Sequence, residues 1–123
     1  MAQPLQVGDV VQVNAGTKIR IGVVLGIRPM PAPQRPHVRV AWVTGTDRTA
    51  DIDKANLPVS PKTRLAAGLP IDRPSFFYST NTGWFEDGGA LVSPHPRGGR
   101  ATPLLRTELD AMVVRGAALH APP

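Results

Sequence analysis

Fourteen prolines are spread through 123 residues, and they constrain this chain more than any other feature. Proline donates no backbone hydrogen bond and breaks a helix interior. These prolines, with twelve glycines, fall mainly between apolar runs, so they mark turns and long loops and not a low-complexity tract. Short β-rich runs separated by frequent turns favour a small barrel or sandwich. The length suits one domain, residues 1–123, with a single modest core.

The runs themselves read as strands. After the Gly8-Asp9 turn, Val10, Val11 and Val13 suit an extended segment. Ile19, Ile21, Val23, Leu25 and Ile27 alternate with Arg20, Gly22, Val24 and Gly26, the clearest period of two in the chain. That period sets Arg20 on the face opposite the apolar set, with Gly22 and Gly26 as places to bend. Residues 28–36 carry four prolines and read as a loop. His37 to Thr44 is the next strand, with Val38, Val40 and Trp42 on one face. A short strand is expected over Arg48–Ile52 and a helical turn at Lys54–Leu57. Ser75–Ser79 reads as a strand, Asn81-Thr82-Gly83 as a turn, and Trp84–Glu86 as a further strand. Strands thus occupy about 7–57 and 75–93.

The last element reads as a helix over about 103–117. Thr102 suits an N-cap, and Pro103 suits the first helical position, where an N–H has no partner to lose. Leu105, Leu109, Met112 and Val113 form one apolar stripe, which Leu119 extends past Gly116. The stripe is expected to seal one end of the core.

Charge is segregated. No acidic residue lies between Asp9 and Asp47, a stretch holding Lys18, Arg20, Arg28, Arg35, His37 and Arg39. A second acid-free stretch, Gly88 to Thr107, holds Arg97, Arg100 and Arg106. Positive charge so arranged attracts phosphate backbones. Aromatic residues gather between Phe76 and Phe85. Phe76 and Trp42 suit the core, whereas Tyr78 and Trp84, each with a polar atom, also suit an outward position where unpaired bases stack. Lys18, Arg28, Arg35, His37, Arg39, Tyr78 and Trp84 are therefore the candidate nucleic-acid contacts.

Other chemistry is sparsely represented. Without cysteine there are no disulfides or thiolate metal sites. Asp51-x-Asp53 lacks the further oxygen ligands of a hard-cation site, so neither metal nor cofactor is expected. His95 sits in a Pro-His-Pro loop, and His37 enters a strand beside arginines, where an acid–base role requires a cleft. No phosphate-binding glycine loop or nucleophile elbow is present. No apolar run reaches the length of a membrane span, and Met1–Gly8 lacks the pattern of a signal peptide. A cytoplasmic location is expected.

The order of elements resembles the PemK/MazF toxin family. Val7-Gly8-Asp9-Val10-Val11-Gln12-Val13 looks like its first strand, and Arg20 to Leu25 falls where the family has an Arg-Pro before an apolar strand, with Ile21 in the proline's place. His37 to Thr44 is similar to its next strand, which ends in a hydroxyl residue. Gly68-Leu69-Pro70, Arg73-Pro74-Ser75 and a closing helix after Gly99-Arg100 follow the same order. The resemblance implies a small SH3-like barrel with a C-terminal α-helix and long proline- and glycine-rich loops. It implies metal-independent cleavage of single-stranded RNA by attack of the ribose 2′-OH on the adjacent phosphate, with Arg20 stabilising the phosphate and Thr44 positioning it. It also implies a homodimer restrained by an antitoxin partner. Two rivals rest on the residues alone. One is a non-catalytic SH3-like module that binds nucleic acid, and the other is a structural or adaptor protein of a phage or plasmid.

Overall fold

The computed structural model describes residues 4–16, 18–45 and 56–119. Its strands are β1 (Val10–Ala15), β2 (Lys18–Arg28), β3 (His37–Thr44), β4 (Asn56–Val59), β5 (Ser75–Glu86) and β6 (Val92–Pro94). A short 3-10 helix, Arg64–Ala66, lies between β4 and β5, and helix α1 (Pro103–Leu119) ends the described chain. All six strands form one antiparallel sheet in the order β4-β5-β3-β2-β1-β6. The chain is thus mainly β, but the sheet is not closed: β4 and β6 remain as its edges. Each edge strand contains a proline, Pro58 and Pro94. A missing N–H is tolerated at an edge and blunts it against pairing with another chain.

Both faces of the sheet are buried. Val10, Val23, Ala41, Val43 and Phe77 join Leu57, Val59 and Leu69 beneath Leu105, Leu109 and Met112 of α1. On the other face Val11, Val13, Val24, Val38 and Val40 meet Leu5 and Val92, with Trp42 and Phe85 against them. Alternate residues of β1, β2 and β3 therefore enter different cores. The second core is closely packed around β2. A Cβ on Gly22 would meet Val40 Cγ1 at 2.6 Å and Val13 Cγ2 at 3.3 Å, so side chains from both neighbouring strands close over this glycine.

The regular alternation expected for β2 is broken near its end. Val24 pairs with Val40 but Gly26 pairs with Arg39, so one residue is bulged out. The shift pairs Ile27 with Val38 and turns it away from the face of Val23; Ile27 is exposed. Ile19, at the other end of the alternating set, is 66% exposed.

The turn expected at Asn81-Thr82-Gly83 is absent, because β5 runs unbroken from Ser75 to Glu86. Both halves of β5 pair with the same strand: Phe76 and Phe77 with Thr44 and Val43, and Thr82 to Glu86 with Ala41 to His37. A reversal would lose one of those ladders, so the turn-forming residues are absorbed as a register shift between Ala41 and Val43. Around that shift strict alternation lapses, and the adjacent Phe77 and Tyr78 are both buried. The helical turn expected at Lys54–Leu57 is replaced, within the described residues, by β4 starting at Asn56. The strand expected at Arg48–Ile52 and the Asp51-x-Asp53 pair lie outside the described residues.

The helix begins as the sequence indicates. The Leu105 N–H donates to Thr102 Oγ1 (3.2 Å), and the Arg106 N–H donates to the Thr102 carbonyl (3.0 Å). The stripe buries Leu105, Leu109, Met112 and Gly116. Leu119 does not extend it and is 56% exposed, while Gly116 occupies the next inward position. Gly68 secures the approach to the helix. It has φ +86°, and a Cβ there would collide with the Arg100 carbonyl.

Candidate functional site

Arg20 and Thr44 come from different strands, and the register of β2 and β3 sets them level. Gly22 pairs with Trp42, and continuing that register by two residues places Arg20 opposite Thr44. Both line a single open cleft of about 140 Å³ at this end of the sheet. Its wall is completed by the segment before β5, which brings Pro70, Ile71, Asp72 and Arg73 against the strand ends. The residues lining the cleft therefore include two arginines, two hydroxyl residues and an aspartate, beside apolar members such as Ile21 and Val43. Ser75, buried in its lining, donates from Oγ to the Arg73 carbonyl (3.2 Å), which ties down the backbone that carries Asp72 and Arg73. Asp72 and Arg73 were not singled out from the sequence as site residues. Arg73 entered only through the order of elements in the resemblance; the route of the chain back into β5 brings both into one cleft with Arg20.

A second cluster lies at the opposite end of β2. Arg28, His37 and Glu86 form one row across β2, β3 and β5, and Gly26, Arg39 and Trp84 form another. The row between them holds Ile27, Val38 and Phe85, of which Val38 and Phe85 belong to the second core. By alternation the two flanking rows share the opposite face. There the Arg28 guanidinium reaches across β3 and lies 4.3 Å from the centre of the Trp84 ring. This stacking is worth about 0.5–1 kcal/mol at an exposed site. Trp84 is 42% exposed.

The remaining candidates stand apart from both clusters. Tyr78 is a core residue, 1% exposed, with its ring stacked on Phe76 at 6.2 Å between centroids. It offers no face to a base, because the register shift in β5 turns it inward beside Phe77. Phe76 and Trp42, expected in the core, are only partly buried; Trp42 meets Phe85 edge to face at 6.0 Å. Lys18 is exposed at the start of β2. Arg35 donates to the Gly88 carbonyl (3.1 Å), and the Asp87 N–H donates to the Pro36 carbonyl (2.9 Å). These bonds pin the proline-rich loop to the turn after β5.

A third pocket lies between the N-terminal segment and the loop after β6, where Arg100 bridges Asp9 (3.0 Å), the Val7 carbonyl (2.7 Å) and Gln6 (3.3 Å). His95 lines it and accepts the Arg97 N–H on Nδ1 at 3.0 Å. Desolvation, and secondarily the charge of Arg97, lowers the His95 pKa below its ordinary value. Arg100 spends its donors on the fold, so this pocket is a structural clasp. Among the described residues no three His, Asp or Glu side chains gather as a metal site, and no helix is long and apolar enough to cross a membrane.

The chain matches no known protein-family model, and no curated protein matches it.

Proposed function

We propose that the protein is an endoribonuclease of the toxin type, cleaving single-stranded RNA in the cleft of Arg20 and Thr44. One observation carries this reading: Arg20 and Thr44, the two residues to which the PemK/MazF resemblance gives roles, line the same cleft from different strands. On this reading the curled sheet is an SH3-like barrel left open between β4 and β6.

The chemistry requires a base near the 2′-OH, cationic stabilisation of the phosphorane and a proton for the leaving oxygen. Arg20 and Arg73 supply two cations to the phosphate, and Thr44 supplies a hydroxyl to orient it. Asp72, the carboxylate that lines the cleft among the described residues, takes the 2′-OH proton as O2′ attacks phosphorus. The 5′-oxygen leaves with a proton from solvent, giving a 2′,3′-cyclic phosphate and a 5′-hydroxyl. None of these side-chain roles calls for a metal ion.

The test is incubation of the full chain with a long single-stranded RNA in EDTA, beside Arg20→Ala and Thr44→Ala. Discrete fragments are expected from the parent, with each variant slowed roughly 100- to 1000-fold, as when one donor to a developing oxyanion is removed. Intact RNA with the parent protein, or unchanged cleavage by both variants, would refute the assignment.

A further inference from the structure

We propose that Trp84 and the Arg28 guanidinium stacked on it form a base-stacking subsite for single-stranded RNA, separate from the cleft. The proposal takes its ligand class from the ribonuclease reading, but its geometry is independent of the cleft. Arg20 and Arg28 are eight residues apart along β2, roughly 25 Å at an extended rise of about 3.3 Å per residue. Two sites so far apart on one strand can hold different nucleotides of the same RNA.

The first reason is exposure. Trp84 keeps 42% of its surface in contact with solvent, so part of its ring is accessible to a ligand that stacks. The second is the absence of a neighbour on one side. β4 pairs with β5 only at Ser75 to Tyr78, so among the described strands the Trp84 segment is paired on the β3 side alone. The third is an open place in the platform. Gly26 shares a row with Arg39 and Trp84, and a Cβ there would meet nothing within 4 Å. That leaves room beside Arg28 for a planar group to settle.

The fourth is charge. Arg28, Arg39 and His37 occupy the same face as Trp84, and among the described residues of these rows Glu86 is the one carboxylate. Guanidinium groups beside an exposed indole suit a nucleic-acid strand. The ring takes a base by stacking, every base having a π-face, and the cations take the flanking phosphates. Arg28 holds one side of the indole in place before the ligand arrives, which lowers the ordering cost of binding.

A 2′-O-methyl oligouridine of about 12 nucleotides, within the footprint of single-strand-binding barrels, has no 2′-OH to attack and so reports binding alone. Its affinity is measured for the full chain, Trp84→Leu, Trp84→Phe and Gly26→Leu, with a 2′-O-methyl duplex of the same length as control. Trp84→Leu is expected to weaken single-strand binding by roughly 5- to 150-fold, the range for losing one stacked base, while Trp84→Phe retains most of it. Gly26→Leu, which fills the open place without touching the indole, is expected to weaken binding as well and to melt like the parent. The duplex, whose bases are already stacked, is expected to be indifferent to Trp84→Leu. Equal single-strand affinity for the parent, Trp84→Leu and Gly26→Leu would overturn the proposal, as would an equal loss on the duplex. If RNA stays intact in the cleavage assay while Trp84-dependent binding persists, the cleft reading falls and the stacking subsite stands. If RNA is cleaved and binding ignores Trp84, the subsite falls alone.

Discussion

Replacing Leu109 by Ala tests how α1 is joined to the sheet. Leu109 is fully buried in one cluster with Leu105, Met112 and apolar side chains of the sheet. Truncation to Ala removes about three methylene equivalents, roughly 2.4 kcal/mol of transfer free energy. The cavity adds to this where the surroundings cannot collapse, and a total of about 2–5 kcal/mol is expected. Collapse is limited here because the facing residues are held by strand pairing. At roughly 3–6 °C per kcal/mol for a domain of this size, the melting temperature should fall by about 6–30 °C. Val114 sits on the same helix but is 69% exposed, so Val114→Ala should stay within about 0.5 kcal/mol of the parent. Thermal unfolding followed by circular dichroism measures both. A Leu109→Ala curve that overlays the Val114→Ala curve would refute the claim that the helix closes the first core.

Thr102→Ala should cost about 1 kcal/mol by removing the acceptor of the Leu105 N–H, read as a lower urea midpoint with an unchanged slope. His95 supplies a pH dependence. Its folded pKa is lowered, so the unfolded chain binds the extra proton more readily; the stability due to neutral His95 is complete above its ordinary value of 6.5 and declines as pH falls below it. His95→Asn keeps an acceptor for the Arg97 N–H but cannot take up that proton. The parent should therefore lose more stability than the variant between about pH 7.5 and 5.5, and equal losses in denaturant midpoints would contradict this.

The Arg20–Thr44 cleft and the Arg28–Trp84 platform differ in how far the chain alone revealed them. Arg20 and Thr44 were legible as a pair only through the resemblance; the register of β2 and β3 then sets them level. Arg28, His37, Arg39 and Trp84 were legible as residue types suited to nucleic acid. Their assembly on one face depends on the bulge after Val24 and on β5 continuing through Asn81-Thr82-Gly83. Read as a turn, that tripeptide would have separated Trp84 from β3. Arg35 and Tyr78 were equally plausible by type, yet one is bonded to the turn after β5 and the other lies in the core.

What the sequence determined by itself is local. Proline and glycine fix backbone options wherever they occur, so the loop read over 28–36 follows from residue identity, although Arg28 itself closes β2. The cap at Thr102 and the stripe of α1 follow from spacing along one element. Only the tertiary structure decided which faces are buried and which side chains meet. A strand's period of two says that alternate residues part company, but not that both sets will be buried. It is silent on a one-residue bulge, which reverses every side chain beyond it. Those choices depend on residues far apart in the chain coming together: Leu5 with the valines of the second core, Arg73 in one cleft with Arg20, and Trp84 with Arg28.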